Sequence, residues 1–186
     1  MALFDESYFR GGAESNYVDY TKKKYNRLSK DLINMFNIPK YFKILDYGCG
    51  TGILVKSLKD KCNIIGTDIS KWAIEYGIKK NNLFGSLYFY DKKLLSKKIG
   101  RAVLILDVLE HCSDKELNDI LRRINNYSFV LIRIPVSGVE GQDFVLECSK
   151  KDKTHIQCHS KDWWHNKIRR FGFRVYAIVK EKVIYD

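Results

Sequence analysis

Proline is nearly absent from this 186-residue chain, with only Pro39 and Pro135. With no low-complexity run and no internal repeat either, nothing marks a linker, and one domain is expected. Hydrophobic residues make up 45% of the chain, enough to build a full core at this length. No apolar run approaches the roughly 18 residues that span a bilayer. The opening MALFDESYFRGG also lacks a basic region ahead of an apolar stretch. These two absences predict a cytoplasmic protein with no membrane partner. Cysteine is sparse and odd in number: Cys49, Cys62, Cys112, Cys148 and Cys158 are scattered, as reduced thiols would be. Acidic residues are outnumbered, 22 against 33 lysines and arginines, for a net charge of +11. A basic surface can be a phosphate-backbone footprint. Here, however, the lysines lie in short groups such as Lys22 to Lys24 and Lys97 with Lys98. The joint richness in Lys, Ile, Asn and Tyr is also what an AT-rich coding bias would produce. The same charge would attract acidic small molecules.

Against these absences stands one dense segment, ILDYGCGTGILVKSL from Ile44 to Leu58, followed by IIGTDIS ending at Ser70. A short apolar strand runs into a turn made by Gly48, Gly50 and Gly52, and Ile53, Leu54, Val55 and Leu58 then give a helix its apolar face. The next strand delivers Asp68. An acid about 20 residues beyond a glycine turn sits at the tip of the neighbouring strand, where a carboxylate can accept ribose hydroxyl hydrogens. A dinucleotide fingerprint would place its third small residue at position 53, which is Ile53. That departure, and Asp46 just before the turn, argue against a pyrophosphate and against a nicotinamide oxidoreductase. Asp46 suits a ligand that carries a positive amino group and a sulfonium.

The alternation of the remaining segments predicts an α/β fold, a Rossmann-like, doubly wound and mostly parallel sheet with helices on both faces. Strands are expected over Tyr41–Asp46, Cys62–Asp68, Ser86–Tyr90, Arg101–Leu106 and Ser128–Pro135, with a long final strand over Phe173–Tyr185. Helices are expected over Tyr20–Asn37, from Ser70 to Asn81, from Ser113 to Asn126 and from Ser160 to Phe171. The segment QDFVLEC, from Gln142 to Cys148, reads as either a strand or a lid. The N-terminal aromatics Tyr8, Phe9, Tyr17, Tyr20 and Tyr25 either fold over the pocket or pack against the sheet, and packing on the sheet is the expectation.

D-x-G-x-G-x-G followed by Asp68 resembles the first two motifs of the class I S-adenosylmethionine-dependent methyltransferases. Tyr90 with Asp91, and LILDVLEH from Leu104 to His111, resemble its third- and fourth-strand motifs in the small-molecule, type 11/12-like branch. The match in order and spacing runs from roughly Tyr41 to Gly172, and residues 1–186 are expected to form one such domain, with 1–40 an arm and helix over the cofactor pocket. The resemblance implies S-adenosylmethionine as cofactor. It implies contacts from Asp46, Gly48, Cys49, Gly50 and Gly52 at the methionine end, Asp68 with Ile69 at the ribose, Asp91 near the adenine, and Asp107 lining the pocket. The family sheet has seven strands. This chain has residues for about six, so its C-terminal sheet edge is shortened, and a second copy could complete it, making the protein a monomer or homodimer.

The resemblance leaves the acceptor open. The loop after the fourth strand reads DVLEH rather than the Asn/Asp-Pro-Pro-aromatic sequence of amide and nucleobase-amine methyltransferases, and no Pro-Cys pair supplies a nucleophile for cytosine carbon 5. An oxygen, nitrogen or carboxylate on a small molecule is expected, with RNA modification or a non-catalytic cofactor-binding module as rivals. Candidate bases or positioning groups are His111, at the mouth of the fourth strand, and His155, which resembles a histidine that faces the acceptor in related enzymes. His155, Cys158, His159 and His165 offer nitrogen and sulfur ligands, but no C-x-x-C accompanies them and no metal is expected.

Overall fold

The structure is a computed structural model that describes residues 4–12, 15, 17, 22–36, 39–90, 92–97 and 99–179. Five strands, β1 (Lys43–Tyr47), β2 (Asn63–Asp68), β3 (Leu87–Phe89), β4 (Ala102–Leu106) and β5 (Phe129–Arg133), form one sheet in the order β3-β2-β1-β4-β5. Every neighbouring pair is parallel. The helices are α1 (Glu6–Phe9), α2 (Lys22–Phe36), α3 (Ile53–Leu58), α4 (Lys71–Asn81), α5 (Lys92–Ser96), α6 (Asp114–Ile124), α7 (Glu147–Lys151) and α8 (Lys161–Arg170).

Parallel strands buried on both faces read as unbroken apolar runs, and the central strands here do. Ile44 and Leu104 face one layer, where Leu28 and Leu32 of α2 and Leu54, Val55 and Leu58 of α3 cover them. Leu45, Val103 and Ile105 face the other, against Leu117 and Leu121 of α6 and Trp164 of α8. Side-chain alternation along a strand thus divides the core into two halves separated by the sheet. Three helix starts are fixed by serine, that of α8 by Ser160 Oγ, which accepts the Trp163 N–H at 3.2 Å. Ser70 Oγ accepts the Ala73 N–H at 3.1 Å, and Ser113 with Glu116 closes a reciprocal capping box at α6. From β1 the chain steps outward through β2 to β3, then crosses back to lay β4 on the other side of β1. Such a reversal opens a crevice outside the carboxyl ends of the strands, here those of β1 and β4.

The final strand expected over Phe173–Tyr185 is not formed in the described part. Residues 173–179 belong to no strand, and residues 180–186 lie outside the described residues. Phe173 still packs against the core, whereas Tyr176 and Ile178 are 85% and 57% exposed. The sheet therefore has five strands among the described residues, one fewer than expected. QDFVLEC forms no continuous strand; it makes one isolated bridge, Phe144 to Ser137, sets the buried Phe144 ring 5.3 Å from that of His155, and then enters α7. Among the described residues no helix is long and apolar enough to cross a membrane.

Leu104 is 1% exposed on a central strand, and Leu104→Ala should lower stability by about 2–5 kcal/mol. Urea unfolding checks this: the midpoint should fall with the slope unchanged.

Candidate active site

The crevice is built from the turn after β1. Gly48, Gly50 and Gly52 have φ of +78°, +53° and +74°, in the left-handed region that other residues avoid. Space is restricted as well: a Cβ on Gly48 would lie 2.3 Å from Val108 Cγ2, and one on Gly50 would lie 2.3 Å from the Tyr17 hydroxyl oxygen. Gly48 and Cys49 donate their N–H groups to the Thr67 carbonyl at 2.8 and 3.1 Å, which ties the turn to β2. The neighbouring residue of β2, Asp68, completes the link. Its Oδ2 accepts the Gly50 N–H and its Oδ1 the Ser70 N–H, both at 2.8 Å. Burial raises the pKa of Asp68, and those two N–H bonds oppose the rise.

Asp46 lies one residue short of the end of β1 and is 3% exposed. Burial, then the nearby charge of Asp68, push its pKa from 3.8 to about 7, against the pull of Arg133. Arg133 ends β5 in register with Leu106, and its guanidinium grips both carboxylate oxygens of Asp107 just beyond β4. Asp107 has φ of +53°, a strained conformation for a residue with a side chain.

Beside this ion pair lies a histidine pair. The backbone N–H groups of Ile156 and Gln157 donate to the Glu110 carbonyl at 2.8 and 3.0 Å, and the Gln157 side-chain amide donates to the Cys112 carbonyl at 3.0 Å. The segment after α7 is thereby stitched onto the turn after β4, and the rings of His111 and His155 come to 4.7 Å between centroids. His111 Nδ1 lies 2.8 Å from Thr154 Oγ1, and that hydroxyl donates to Asp152 Oδ1 at 2.6 Å. Burial, then the nearness of His155, lower the His111 pKa to about 4, so it is a neutral imidazole at pH 7.

The N-terminal arm closes over these groups. Tyr17 Oη accepts the Thr51 N–H at 2.9 Å, Phe9 stacks on Trp72 of α4, and the Tyr8 hydroxyl donates to Asp152 Oδ2 at 3.2 Å. The arm's described aromatics therefore lie across the carboxyl end of the sheet, not on its face as expected. They do so because the turn and Asp152 offer them polar partners. Tyr25 packs against the α2–α3 side of the core with Tyr17, Arg133, Asp107 and Asp46 near its hydroxyl, and Tyr20 lies outside the described residues.

A family profile described as "Methyltransferase domain" matches residues 17–178. The chain belongs to this methyltransferase family. No curated protein sequence matches it. Among solved structures, a SAM-dependent methyltransferase from Archaeoglobus fulgidus superposes with a TM-score of 0.64 at 20% identity, covering 91% of this chain and 88% of that one. A Haloferax volcanii protein seen in complex with the Trm112 methyltransferase activator gives 0.66 at 12% identity, over 95% and 80%. A Geobacter sulfurreducens SAM-dependent methyltransferase in complex with S-adenosyl-L-homocysteine gives 0.53 at 18%, over 86% and 66%. Family and fold make the chain a class I methyltransferase, whose methyl donor is S-adenosylmethionine.

The methyltransferase brings together most of the residues singled out in its sequence. Asp46, Gly48, Gly50, Gly52 and Asp68 surround one turn, and Ile69 is exposed next to them. Cys49 contributes backbone only: its sulfur packs toward Gly66, 2.7 Å from where a Cβ there would sit. Asp107 stands at the crevice but with its charge engaged by Arg133, and Asp91 lies outside the described residues. The set His155, Cys158, His159 and His165 does not converge. His159 stacks on Trp163 and bonds Glu140, whereas His155 turns inward to the Ser149 carbonyl. Sequence reasoning missed Arg133, whose signal was a lone cation in the apolar run FVLIRIP, and it missed Thr154 and Asp152 as supports of His111.

An acid whose folded pKa is raised keeps a proton that the unfolded chain has released, so its contribution to stability falls as pH climbs from about 4 to about 7. Asp46→Asn should remove that part of the decline. Denaturant midpoints of both proteins across this range check it, and parallel pH profiles would contradict the assignment.

Proposed function

We propose that this methyltransferase binds S-adenosylmethionine at the carboxyl ends of β1 and β2 and directs its methyl group to an oxygen, nitrogen or carboxylate of a small molecule in the cytoplasm. The observation that carries the reading is Asp68 against the glycine turn. Each of its carboxylate oxygens takes one backbone N–H, and each keeps a further lone pair for a ribose hydroxyl. Asp46, with its pKa near 7, is poised to ionise beside an ammonium group. Asp91 falls to the adenine by resemblance, and Asp107, held by Arg133, forms the wall between cofactor and acceptor.

When bound, the cofactor supplies a methyl group already activated by its sulfonium, so the chain's own task is to orient the acceptor and exclude water. The arm of Phe9 and Tyr17 provides the cover. His111 and His155 hold the acceptor. With a pKa of about 4, His111 is a weak proton acceptor and serves better as a positioning group than as a base. Enclosure favours a small acceptor: the His155 side chain, on the segment after α7, is only 6% exposed and packs against Phe144. The net charge of +11 supports RNA as a second reading.

Calorimetric titration with S-adenosylmethionine, its demethylated product and NAD tests the cofactor. The first two should bind and NAD should not, and Asp68→Asn should weaken binding about 10- to 100-fold, as loss of hydrogen bonds to a charged acceptor does. NAD preference would overturn the assignment. For the acceptor, methyl transfer from labelled cofactor to small oxygen and nitrogen acceptors should vary little between 50 and 200 mM salt, whereas an RNA substrate would show a loss of binding of several decades. Cofactor binding with turnover of neither class would favour the non-catalytic module.

A further inference from the structure

We propose that Glu110, His111 and His155 form a binding site for one divalent transition-metal ion, of the zinc, manganese or iron class. One ligand atom from each of the three lies within 4.8 Å of the others. Ligands about 2.1 Å from a shared ion stand at most about 4.2 Å apart, so side-chain adjustment alone closes the set. Two imidazoles and one carboxylate suit ions of this class better than magnesium or calcium, which prefer oxygen throughout.

The independent observation is Glu110 itself. Its side chain is 0% exposed, and neither carboxylate oxygen has a hydrogen-bond partner beyond Glu110's own backbone. A buried carboxylate in that condition is costly whichever form it takes. As an anion it lacks a counter-charge within bonding distance, and as an acid it lacks an acceptor for its O–H. An ion beside the histidine pair supplies the missing partner.

The hydrogen bonds around the imidazoles are those of metal ligands. His155 Nδ1 faces the Ser149 carbonyl at 2.9 Å, which can only accept, so Nδ1 carries the proton and Nε2 keeps its lone pair. His111 Nδ1 faces Thr154 Oγ1 at 2.8 Å and the Thr154 carbonyl at 3.3 Å. Because the Thr154 hydroxyl spends its hydrogen on Asp152, this Nδ1 is again the donor and its Nε2 is again available. Asp152 also places Oδ2 3.8 Å from His155 Nε2, adding negative charge where a cation would sit. The ion site stands without the acceptor reading. If that reading holds, the open positions of the ion would take an oxygen of the acceptor.

The test uses untagged full-length protein, stripped with a chelator and titrated calorimetrically with Mn²⁺ and, separately, Zn²⁺, beside Glu110→Gln and His155→Gln. S-adenosylhomocysteine binding by each variant reports that it is folded. One ion per chain is expected, with affinity reduced more than about tenfold in both variants. The ion should also raise the melting temperature of the wild type but not of His155→Gln. If Glu110→Gln fails to fold, His155→Gln decides the matter. No binding of either ion, or binding that both variants retain at full strength, would overturn the site. Metal binding without S-adenosylhomocysteine binding would instead count against the cofactor assignment.

Discussion

Two backbone N–H groups from different segments meet on one carboxylate at the end of β2, and the organisation of the crevice depends on that meeting. Gly50 belongs to the turn after β1 and Ser70 caps α4, and Asp68 accepts from both at 2.8 Å. The turn can come this close only because Gly48 and Gly50 adopt left-handed backbone and present no Cβ. Thr67 holds the same turn through its carbonyl. The glycine loop, the acid and the start of α4 are therefore one rigid unit, set at the position where the strand order reverses.

Charge is arranged around that unit in a way that opposes the chain's overall balance. A protein of net charge +11 collects Asp46, Asp68, Asp107, Glu110 and Asp152 at one end of its sheet, and Arg133 pairs with Asp107 among them. Burial raises the pKa of Asp46, Asp68 and Glu110. Such a site gains most from cationic ligands. A sulfonium with an ammonium group on the Asp46 side and a metal ion on the Glu110 side are two separate ways of supplying the missing positive charge.

The parts of this molecule that were legible in its sequence are those governed by local rules. Five strands fall within two residues of their expected limits, because apolar runs bounded by turns leave little choice. Ser70 and Ser113 cap the helices they were expected to cap, and the glycine turn and Asp68 come together as the spacing implied. What was not legible depends on contacts distant in sequence. The Arg133–Asp107 pair needs β5 to lie beside β4, and the His111–His155 pair needs the segment after α7 to be stitched back onto Glu110. The arm's docking depends on Tyr17 finding Thr51, 34 residues away, and Tyr8 finding Asp152, 144 away. The final strand, expected from Phe173, is absent over residues 173–179, where an apolar, strand-like composition alone did not secure pairing on the β5 edge.

A crystal structure of the complex with S-adenosylhomocysteine tests the central claim most directly. The ribose hydroxyls should lie within hydrogen-bonding distance of Asp68, with the amino group of the homocysteine moiety toward Asp46 and the glycine turn in the conformation described above. A nucleoside bound elsewhere, or one that leaves the Asp68 carboxylate contacted only by Gly50 and Ser70, would contradict it.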